Sequence, residues 1–230
     1  MDHPFTYEDI AGMIDHTCLA PNATDAELDR EIEVAKKYRT AAFCMKPYYT
    51  AAAARALAGS GVRVCTVVGF PHGSNRPCAL EAEARCACKD GATELDMVVN
   101  IGKVLSGDWD TVADGILAVQ NVALENKALV KVIFETFYLN DEQKIRLCEV
   151  CSQIGVAFVK TATGFAGGGA TLHDVELMRR SCPREVGVKA AGGIRSLYNV
   201  LRFREAGATR IGTSAAGGIL EEVRMRLARW

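Results

Sequence analysis

Short apolar segments alternate with longer amphipathic segments along the chain, and this alternation limits the possible folds more than any other sequence feature. The short segments are typical of buried strands and the long ones have helical spacing. About eight strand–helix units predict a series of βαβ units and therefore a parallel sheet. We expect strands over 12–18, 41–45, 62–68, 93–99, 129–134, 155–160, 186–190 and 208–212, and helices over 24–38, 47–58, 77–90, 108–126, 140–153, 171–180, 196–206 and 214–229.

Two architectures contain such a parallel sheet. An open doubly wound sheet that binds a dinucleotide carries G-x-G-x-x-G after its first strand, whereas the first predicted strand here ends in Asp15-His16-Thr17-Cys18-Leu19. Eight repeats in 230 residues favour the closed alternative. We therefore predict the α/β fold class, as a (β/α)8 TIM barrel, with one domain that spans residues 1–230.

The composition narrows the class of function. A formal net charge of −1 argues against a nucleic-acid partner. No apolar run approaches the roughly 20 residues of a membrane span, and the first residues lack a secretory signal pattern. We expect a cytoplasmic protein whose nine cysteines are reduced. The pairs Cys86/Cys88 and Cys148/Cys151 lie in predicted helices without a nearby histidine, which favours structural cysteines over metal ligands.

Polar side chains recur where the predicted strands end. Barrel enzymes carry their chemistry on the loops at that face, and a polar group at the end of an apolar strand is costly to bury without a partner. Any single one of them could merely close an ion pair, but seven such strand ends on one rim predict an active site. These residues are Asp15, Thr17, Cys44, Lys46, Asp96, Asn100, Glu135, Thr136, Lys160, Lys189, Thr213 and Ser214.

Lys160 and Lys189 end the sixth and seventh predicted strands, which are neighbours in a barrel. One interpretation is that both lysine side chains extend to the solvent. The other is that they meet at the rim of the barrel. If they lie close together, like charge and desolvation both disfavour the charged form and lower a lysine pKa. A neutral amine attacks an aldehyde or ketone to form a Schiff base. Asp96, two strands before Lys160, is placed for proton transfer.

Glycine-rich segments follow the last three predicted strands, at 163–169, 190–195 and 212–214. Backbone N–H groups in such loops bind phosphate, and the loops after strands seven and eight are the usual phosphate site of barrels, although tight turns also need glycine. His72 is a candidate to line the site, while His3 and His173 occupy solvent or helix-start positions. No histidine pair has the spacing of metal ligands, so we expect no metal and no cofactor.

The sequence resembles deoxyribose-phosphate aldolase of the short bacterial type over nearly its whole length. The resemblance implies a class I aldolase that reversibly cleaves 2-deoxy-D-ribose 5-phosphate into acetaldehyde and D-glyceraldehyde 3-phosphate. It also implies a possible homodimer. The segments that carry it are Asp15-His16-Thr17, Val67-Val68-Gly69-Phe70-Pro71-His72-Gly73, Glu94-Leu95-Asp96-Met97-Val98, Lys131-Val132-Ile133-Phe134-Glu135-Thr136, Phe158-Val159-Lys160-Thr161-Ala162-Thr163-Gly164-Phe165 and Val188-Lys189-Ala190-Ala191-Gly192-Gly193-Ile194-Arg195.

By that resemblance Lys160 is the Schiff-base lysine, and Asp96 with Lys189 forms a proton relay. The substrate-binding residues would be Asp15 and Thr163, which hold hydroxyl groups, with Cys44 near the substrate. The phosphate would be bound by Gly164, Gly192, Gly193 and Ser214.

The sequence also departs from the family pattern at the rim. Lys46 replaces a usual Asn and adds a charge. Ala162 and Ala215 replace frequent serines, and Phe165 stands where some members have Lys, which predicts fewer donors at the phosphate site. Some members end in a tyrosine that reaches the site, whereas this chain ends in Trp230. Two other functions remain open: a Schiff-base aldolase for a keto-sugar phosphate, and a non-catalytic ligand-binding barrel.

Overall fold

Eight parallel strands form a closed barrel in the computed structural model, which describes residues 5–228. Closure is direct, because the first strand pairs with both the second and the eighth, with Ile14 opposite Ile211. The predicted (β/α)8 TIM barrel is therefore confirmed, while the extent of the domain stays a prediction. The strands are β1 (Ile14–Cys18), β2 (Ala42–Met45), β3 (Arg63–Val68), β4 (Glu94–Val98), β5 (Leu129–Ile133), β6 (Phe158–Lys160), β7 (Gly187–Ala191) and β8 (Arg210–Thr213).

Helices follow the strands around the outside of the barrel. Two of them, at Tyr7–Ala11 and Ile101–Leu105, were not predicted, because five residues are too few to show a helical period. The helices are α1 (Tyr7–Ala11), α2 (Asp25–Tyr38), α3 (Thr50–Ala56), α4 (Pro77–Lys89), α5 (Ile101–Leu105), α6 (Trp109–Glu125), α7 (Asp141–Ile154), α8 (Leu172–Ser181), α9 (Leu197–Glu205) and α10 (Ala216–Leu227). Within residues 5–228 no helix is both long and apolar enough to cross a membrane.

Local sequence signals fix several helix ends. The Thr24 hydroxyl accepts the Glu27 N–H at 3.3 Å, and the Glu27 carboxylate accepts the Thr24 N–H at 2.7 Å. This reciprocal capping box satisfies two N–H groups that the first turn of α2 leaves without partners. At the C-terminal end of α7, Gly155 caps the helix with φ 79°. Glycine adopts this left-handed conformation without strain.

The strand register determines which side chains meet inside the barrel. Lys160 on β6 lies directly opposite Lys189 on β7, and Asp96 on β4 lies opposite Lys131 on β5. Alternate residues of each strand point inward, so these charged groups converge in the interior. Gly212 on β8 leaves the necessary room, because a Cβ there would lie 3.1 Å from Cε of Lys189.

All nine cysteines are free thiols, and four of them are buried. Cys148 and Cys151 are buried on α7, while Cys86 and Cys88 lie on α4, as predicted for helical positions. A buried thiol packs as a small hydrophobic group, which is the role that the sequence predicted. Cys148 and Cys151 have the burial that this role requires, whereas Cys86 is exposed.

Candidate active site

A cavity of about 490 Å³ opens at the carboxyl ends of β1, β6, β7 and β8. This is the face on which barrel enzymes carry their active sites. Six of the ten residues to which the sequence gave catalytic, substrate-binding or phosphate-binding roles line it, namely Lys160, Thr163, Gly164, Gly192, Gly193 and Ser214. Thr17 and Thr213 of the predicted rim also line it. The remaining four, Asp15, Cys44, Asp96 and Lys189, do not line the cavity and are fully buried in the barrel.

Asp96 is the centre of the buried polar network. Its Oδ2 accepts hydrogen bonds from Nζ of Lys160 at 2.8 Å and from Nζ of Lys189 at 2.7 Å. Its Oδ1 accepts a bond from Nζ of Lys131 at 2.7 Å. The structure therefore brings together the three residues for which the sequence predicted catalytic roles, and it adds Lys131 as a third lysine on the same carboxylate.

Asp15 contacts cations on both sides. Its Oδ2 accepts a bond from Nζ of Lys189, and its Oδ1 accepts one from the Arg210 guanidinium at 2.6 Å. Nζ of Lys131 lies 3.4 Å from the same Oδ2. The predicted role of Asp15 was to hold substrate hydroxyl groups, but its oxygens are already bound by cations and it does not line the cavity.

A second layer of charge, which the sequence prediction missed, lies beneath these groups. Glu94 contacts Nζ of Lys131 at 2.6 Å and the Arg210 guanidinium at 3.3 Å. Four basic and three acidic side chains therefore share the interior. A usable signal existed, because Glu94 precedes Asp96 by two residues, and residues two apart point to the same face of a strand.

The charge balance bears on the expected effect of the two lysines on each other. Like charge and burial were expected to lower a lysine pKa, so that Lys160 could attack as a neutral amine. Burial does act in that direction, but the carboxylates of Asp15 and Asp96 more than offset it and raise the pKa of Lys189 above the ordinary lysine value. A lowered lysine pKa therefore does not apply to Lys189, because opposite charges at hydrogen-bonding distance outweigh a like charge beside them.

The two central carboxyl groups are held ionised. Burial alone would raise the pKa of Asp96, but Lys131, Lys160 and Lys189 bring it well below the usual range. Burial likewise opposes ionisation of Asp15, and the nearby lysines and Arg210 lower its pKa. A buried carboxylate of this kind accepts hydrogen bonds and takes up a proton only transiently.

Two groups of potential metal ligands occur among the described residues. In each group three ligand atoms lie within 4.8 Å of one another: Cys44, Cys65 and Asp96 in one, and Asp15, Cys65 and Glu94 in the other. Nζ of Lys131 is within 3.4 Å of all three members of the second group, at 3.2 Å from Sγ of Cys65. The carboxylates of both groups already pair with lysine ammonium groups. These ammonium groups supply the positive charge that a metal ion would otherwise supply.

Cys44 lies under the cavity floor. It is opposite Cys65 in the register of β2 and β3, and its Sγ lies within 4.8 Å of the nearest oxygen that Asp96 offers. A hydrogen bond from the Cys65 thiol lowers the pKa of Cys44. Cys44 was predicted to lie near the substrate, but it does not line the cavity. Its contact with the site is with Asp96.

The glycine-rich loops are built by close backbone contacts. The Ala170 N–H donates to the Gly192 carbonyl at 3.2 Å, and a Cβ at Gly169 would lie 2.4 Å from that carbonyl oxygen. Gly192 and Gly193 have φ values of 98° and 78°. Glycine is thus required here for conformation and packing, whether or not the loops also bind an anion.

Thr163 is tied to the end of β5. Its hydroxyl donates to Oε2 of Glu135, its N–H lies 3.2 Å from Oε1, and its hydroxyl oxygen accepts the Phe165 N–H at 3.0 Å. The hydroxyl hydrogen is therefore committed within the protein. Glu135 was recognised in the sequence only as a polar strand end, and an ion pair was its alternative role.

The residues that depart from the family pattern are accommodated in the rim. Nζ of Lys46 donates to the Ala23 carbonyl at 2.6 Å, so its charge supports the loop after β1. Phe165 packs edge-to-face on Phe70 with ring centroids 5.4 Å apart. Ala162 is buried. Arg195, which no prediction included, lines the cavity beside Gly193 and brings positive charge to it.

The histidines within residues 5–228 do not line the cavity. His72 is exposed and does not line it, contrary to the expectation, because the turn at 69–73 directs it to solvent. His173 is at the start of α8, as predicted, and its Nε2 lies 2.7 Å from the Asp141 carboxylate. His3 lies outside the described residues, as does Trp230.

A closed (β/α)8 barrel whose cavity is lined by a lysine that is hydrogen-bonded to a buried aspartate is typical of the barrel enzymes that act on carbonyl compounds through lysine. The family model described as DeoC/LacD family aldolase matches residues 10–219. The chain belongs to this aldolase family, which makes it a carbon–carbon lyase.

Named relatives agree with the family. Deoxyribose-phosphate aldolase from Rhodopirellula baltica is 48% identical over 187 residues, covering 81% of this chain and 78% of that protein. The enzyme of the same name from Clostridium tetani is 45% identical over 183 residues, covering 80% and 84%. The solved deoxyribose phosphate aldolase from Aeropyrum pernix, described as tetrameric, superimposes with a TM-score of 0.88 at 33% identity, covering 95% of this chain and 92% of that one.

Proposed function

We propose that this aldolase reversibly cleaves 2-deoxy-D-ribose 5-phosphate into acetaldehyde and D-glyceraldehyde 3-phosphate through a Schiff base on Lys160. One observation carries the proposal: Lys160 reaches the cavity while it shares Oδ2 of Asp96 with Lys189. The names of the relatives support the same substrate.

Lys160 is the better nucleophile of the two lysines. It is at the cavity and contacts one carboxylate oxygen, whereas Lys189 is fully buried and contacts both Asp15 and Asp96. Loss of a proton from Lys160 therefore breaks fewer charge-assisted hydrogen bonds than loss from Lys189. Lys189 therefore holds the proton in the resting site and supplies the positive group beside the reacting amine until the relay moves that proton.

The reaction begins when the neutral Lys160 amine attacks C1 of the open-chain sugar and water is expelled to form an iminium. The C3 hydroxyl then loses its proton, and the C2–C3 electrons move into the iminium to form an enamine of acetaldehyde. Glyceraldehyde 3-phosphate leaves with the C3 carbonyl. Protonation of the enamine at C2 and hydrolysis of the resulting iminium release acetaldehyde and restore the amine.

Asp96 and Lys189 form the proton relay in this proposal. Asp96 is hydrogen-bonded to both amines, so a proton can pass between Lys160 and Lys189 through its Oδ2 without a change in the total charge of the site. Because Asp15 contacts Lys189 and is far from the cavity surface, we assign it to orient Lys189. Cys44 is assigned to pack beneath Asp96, and Thr163 to shape the loop beside the substrate.

The phosphate end of the substrate is assigned to the glycine loops. Gly164, Gly192, Gly193 and Ser214 line the same cavity as Lys160, and backbone N–H groups of such loops bind phosphate oxygens. Arg195 supplies a charge there, which compensates for the serines that are replaced by Ala162 and Ala215.

Trapping of the Schiff base tests the proposal. Acetaldehyde with sodium borohydride is expected to fix a two-carbon adduct on Lys160, which mass spectrometry of peptides locates. Lys160→Leu is expected to abolish cleavage and trapping while circular dichroism stays native, and the exposed Lys89→Leu serves as the matched control. Residual turnover within about tenfold of the wild type would contradict the Schiff-base role, since loss of a covalent nucleophile costs far more.

The same experiment separates the main alternative. If only a ketone donor labels Lys160, the enzyme is an aldolase for a keto-sugar phosphate. The remaining parts of the proposal are a cytoplasmic location and assembly as a homodimer. Light scattering coupled to size-exclusion chromatography measures the assembly, and a mass of twice 24.8 kDa is the expected result.

A further inference from the structure

We propose that Glu135 is a positioning residue that holds the turn at 163–165, and through it the phosphate end of the cavity, in the binding conformation. This inference rests on the proposed function. Glu135 itself does not line the cavity, so any effect on substrate passes through the turn that it holds.

The contacts of Glu135 are all directed at this turn. It is buried, and its two carboxylate oxygens accept the N–H and the hydroxyl hydrogen of Thr163. The Thr163 oxygen then accepts the Phe165 N–H at 3.0 Å. Among residues 5–228 no basic side chain pairs with Glu135. A buried carboxylate without a cation is costly, and strong hydrogen bonds to its oxygens are what offset that cost.

The backbone is also adapted to this contact. Glu135 has φ 56° and ψ 63°, a left-handed conformation that is uncommon for residues other than glycine. On either side of it, the Phe134 N–H donates to the Lys160 carbonyl at 2.9 Å and the Thr136 N–H donates to the Thr161 carbonyl at 3.0 Å. A strained backbone conformation persists where surrounding contacts hold it. Here the flanking backbone hydrogen bonds hold Glu135 in this conformation, in which its side chain binds Thr163.

The turn that Glu135 holds begins the predicted phosphate loop. Thr163 and Gly164 line the cavity, and Phe165 packs on Phe70 at its mouth. The amine of Lys160 is held separately, by β6 and by Asp96. Loss of the Glu135 contact is therefore expected to displace the phosphate loop and to leave the reacting amine in place.

Glu135→Gln tests this division of roles. Its amide nitrogen cannot accept the Thr163 hydroxyl hydrogen and its amide carries no charge, so the charge-assisted hydrogen bond is lost without a large change in volume. Glu142→Gln on the exposed surface of α7 is the matched control. Kinetics are measured with 2-deoxyribose 5-phosphate and with phosphate-free 2-deoxyribose, and borohydride trapping is measured with acetaldehyde.

The expected result for Glu135→Gln is a KM for the phosphorylated sugar raised at least about tenfold, as loss of a charge-assisted hydrogen bond produces. The value of kcat, the kcat/KM for 2-deoxyribose and the trapping yield should all stay within about threefold of the wild type. An equal loss with both sugars would overturn the proposal, because a purely structural role reduces the active fraction for every substrate.

Two further variants keep the test decisive if Glu135→Gln does not fold. Thr163→Val removes the hydroxyl through which Glu135 acts and should reproduce the rise in KM for the phosphorylated sugar. Thr163→Ser retains the hydroxyl and should raise that KM much less than Thr163→Val does. Equal KM values for the two Thr163 variants would contradict the proposal. Failure of the wild type to trap acetaldehyde would refute the proposed function instead, and is thus a separate outcome.

Discussion

Asp96 is buried among cations, with Lys131 on one carboxylate oxygen and Lys160 and Lys189 on the other. Removal of a carboxylate from water is expensive, and only well-placed partners compensate for it. The same is true of each lysine, so each charge in the group depends on the others. A single carboxylate that serves three lysines is therefore both a structural centre and the proposed route for protons.

Asp96→Asn is expected to reduce kcat for cleavage by at least about 100-fold, because an amide cannot relay a proton between Lys160 and Lys189. It should also lower the free energy of unfolding by about 3–5 kcal/mol, because three buried lysines lose their shared counter-charge. Steady-state assays and urea denaturation measure the two effects. Asp90→Asn, at an exposed site after α4, should change neither by much, and an unchanged kcat for Asp96→Asn would refute the relay.

At the scale of elements, the site is assembled by strands and loops that meet in a fixed register. β4 and β5 bring charged residues inward, and β6 and β7 place two lysines opposite each other. The loops after β6 and β7 then pack backbone against backbone at Gly169 and Gly192. The cavity therefore depends on contacts too close for any side chain.

Gly169→Ala is expected to separate these two loops, because its Cβ would meet the Gly192 carbonyl oxygen at 2.4 Å. The expected outcome is a lower free energy of unfolding, by about 1–3 kcal/mol as for overpacking, and a higher KM for the phosphorylated sugar. Gly218→Ala on α10 is the matched control, since nothing lies within 4 Å of a Cβ there, and alanine favours a helix. Equal stability of the two variants would contradict the tight contact.

At the scale of the whole molecule, the barrel encloses an ionised core whose charges are matched only over a limited pH range. Asp15 and Asp96 have lowered pKa values, while Lys131 and Lys189 have raised ones. Lowered carboxyl pKa values add stability above the ordinary value of about 4, and raised lysine pKa values add stability below about 10.4. The core is therefore most stabilising between these limits.

The free energy of unfolding should fall as the pH drops below about 4, because the unfolded chain binds protons that Asp15 and Asp96 do not bind in the fold. Each such group contributes a slope of about 1.4 kcal/mol per pH unit in this range. Urea denaturation from pH 7 to pH 2.5 measures it. Asp96→Asn should show a shallower acid limb than the wild type, and identical acid limbs would show that Asp96 does not carry this dependence.

The residues that we propose as catalytic could be selected from the sequence because each is a charged residue in an apolar strand, as Lys160 and Lys189 are. Their electrostatic state could not, since the rise in the pKa of Lys189 depends on Asp15, which is 174 residues away along the chain. Glu135 was visible as a polar strand end, but its partner Thr163 follows a different strand. Arg195 belongs to one of the segments that resemble the family, but only its position in the cavity lining indicates that it is part of the site.

The alternation of apolar and amphipathic segments, with eight repeats and without a G-x-G-x-x-G motif, was sufficient to predict the barrel and the face of the candidate site, because periodicity and short motifs are local properties of the chain. The tertiary structure decided which charges meet: Lys160 with Lys189 on Asp96, and Lys189 with Asp15. Electrostatic energy depends on distances of a few ångströms between groups on different strands, and closure of the barrel is what sets those distances.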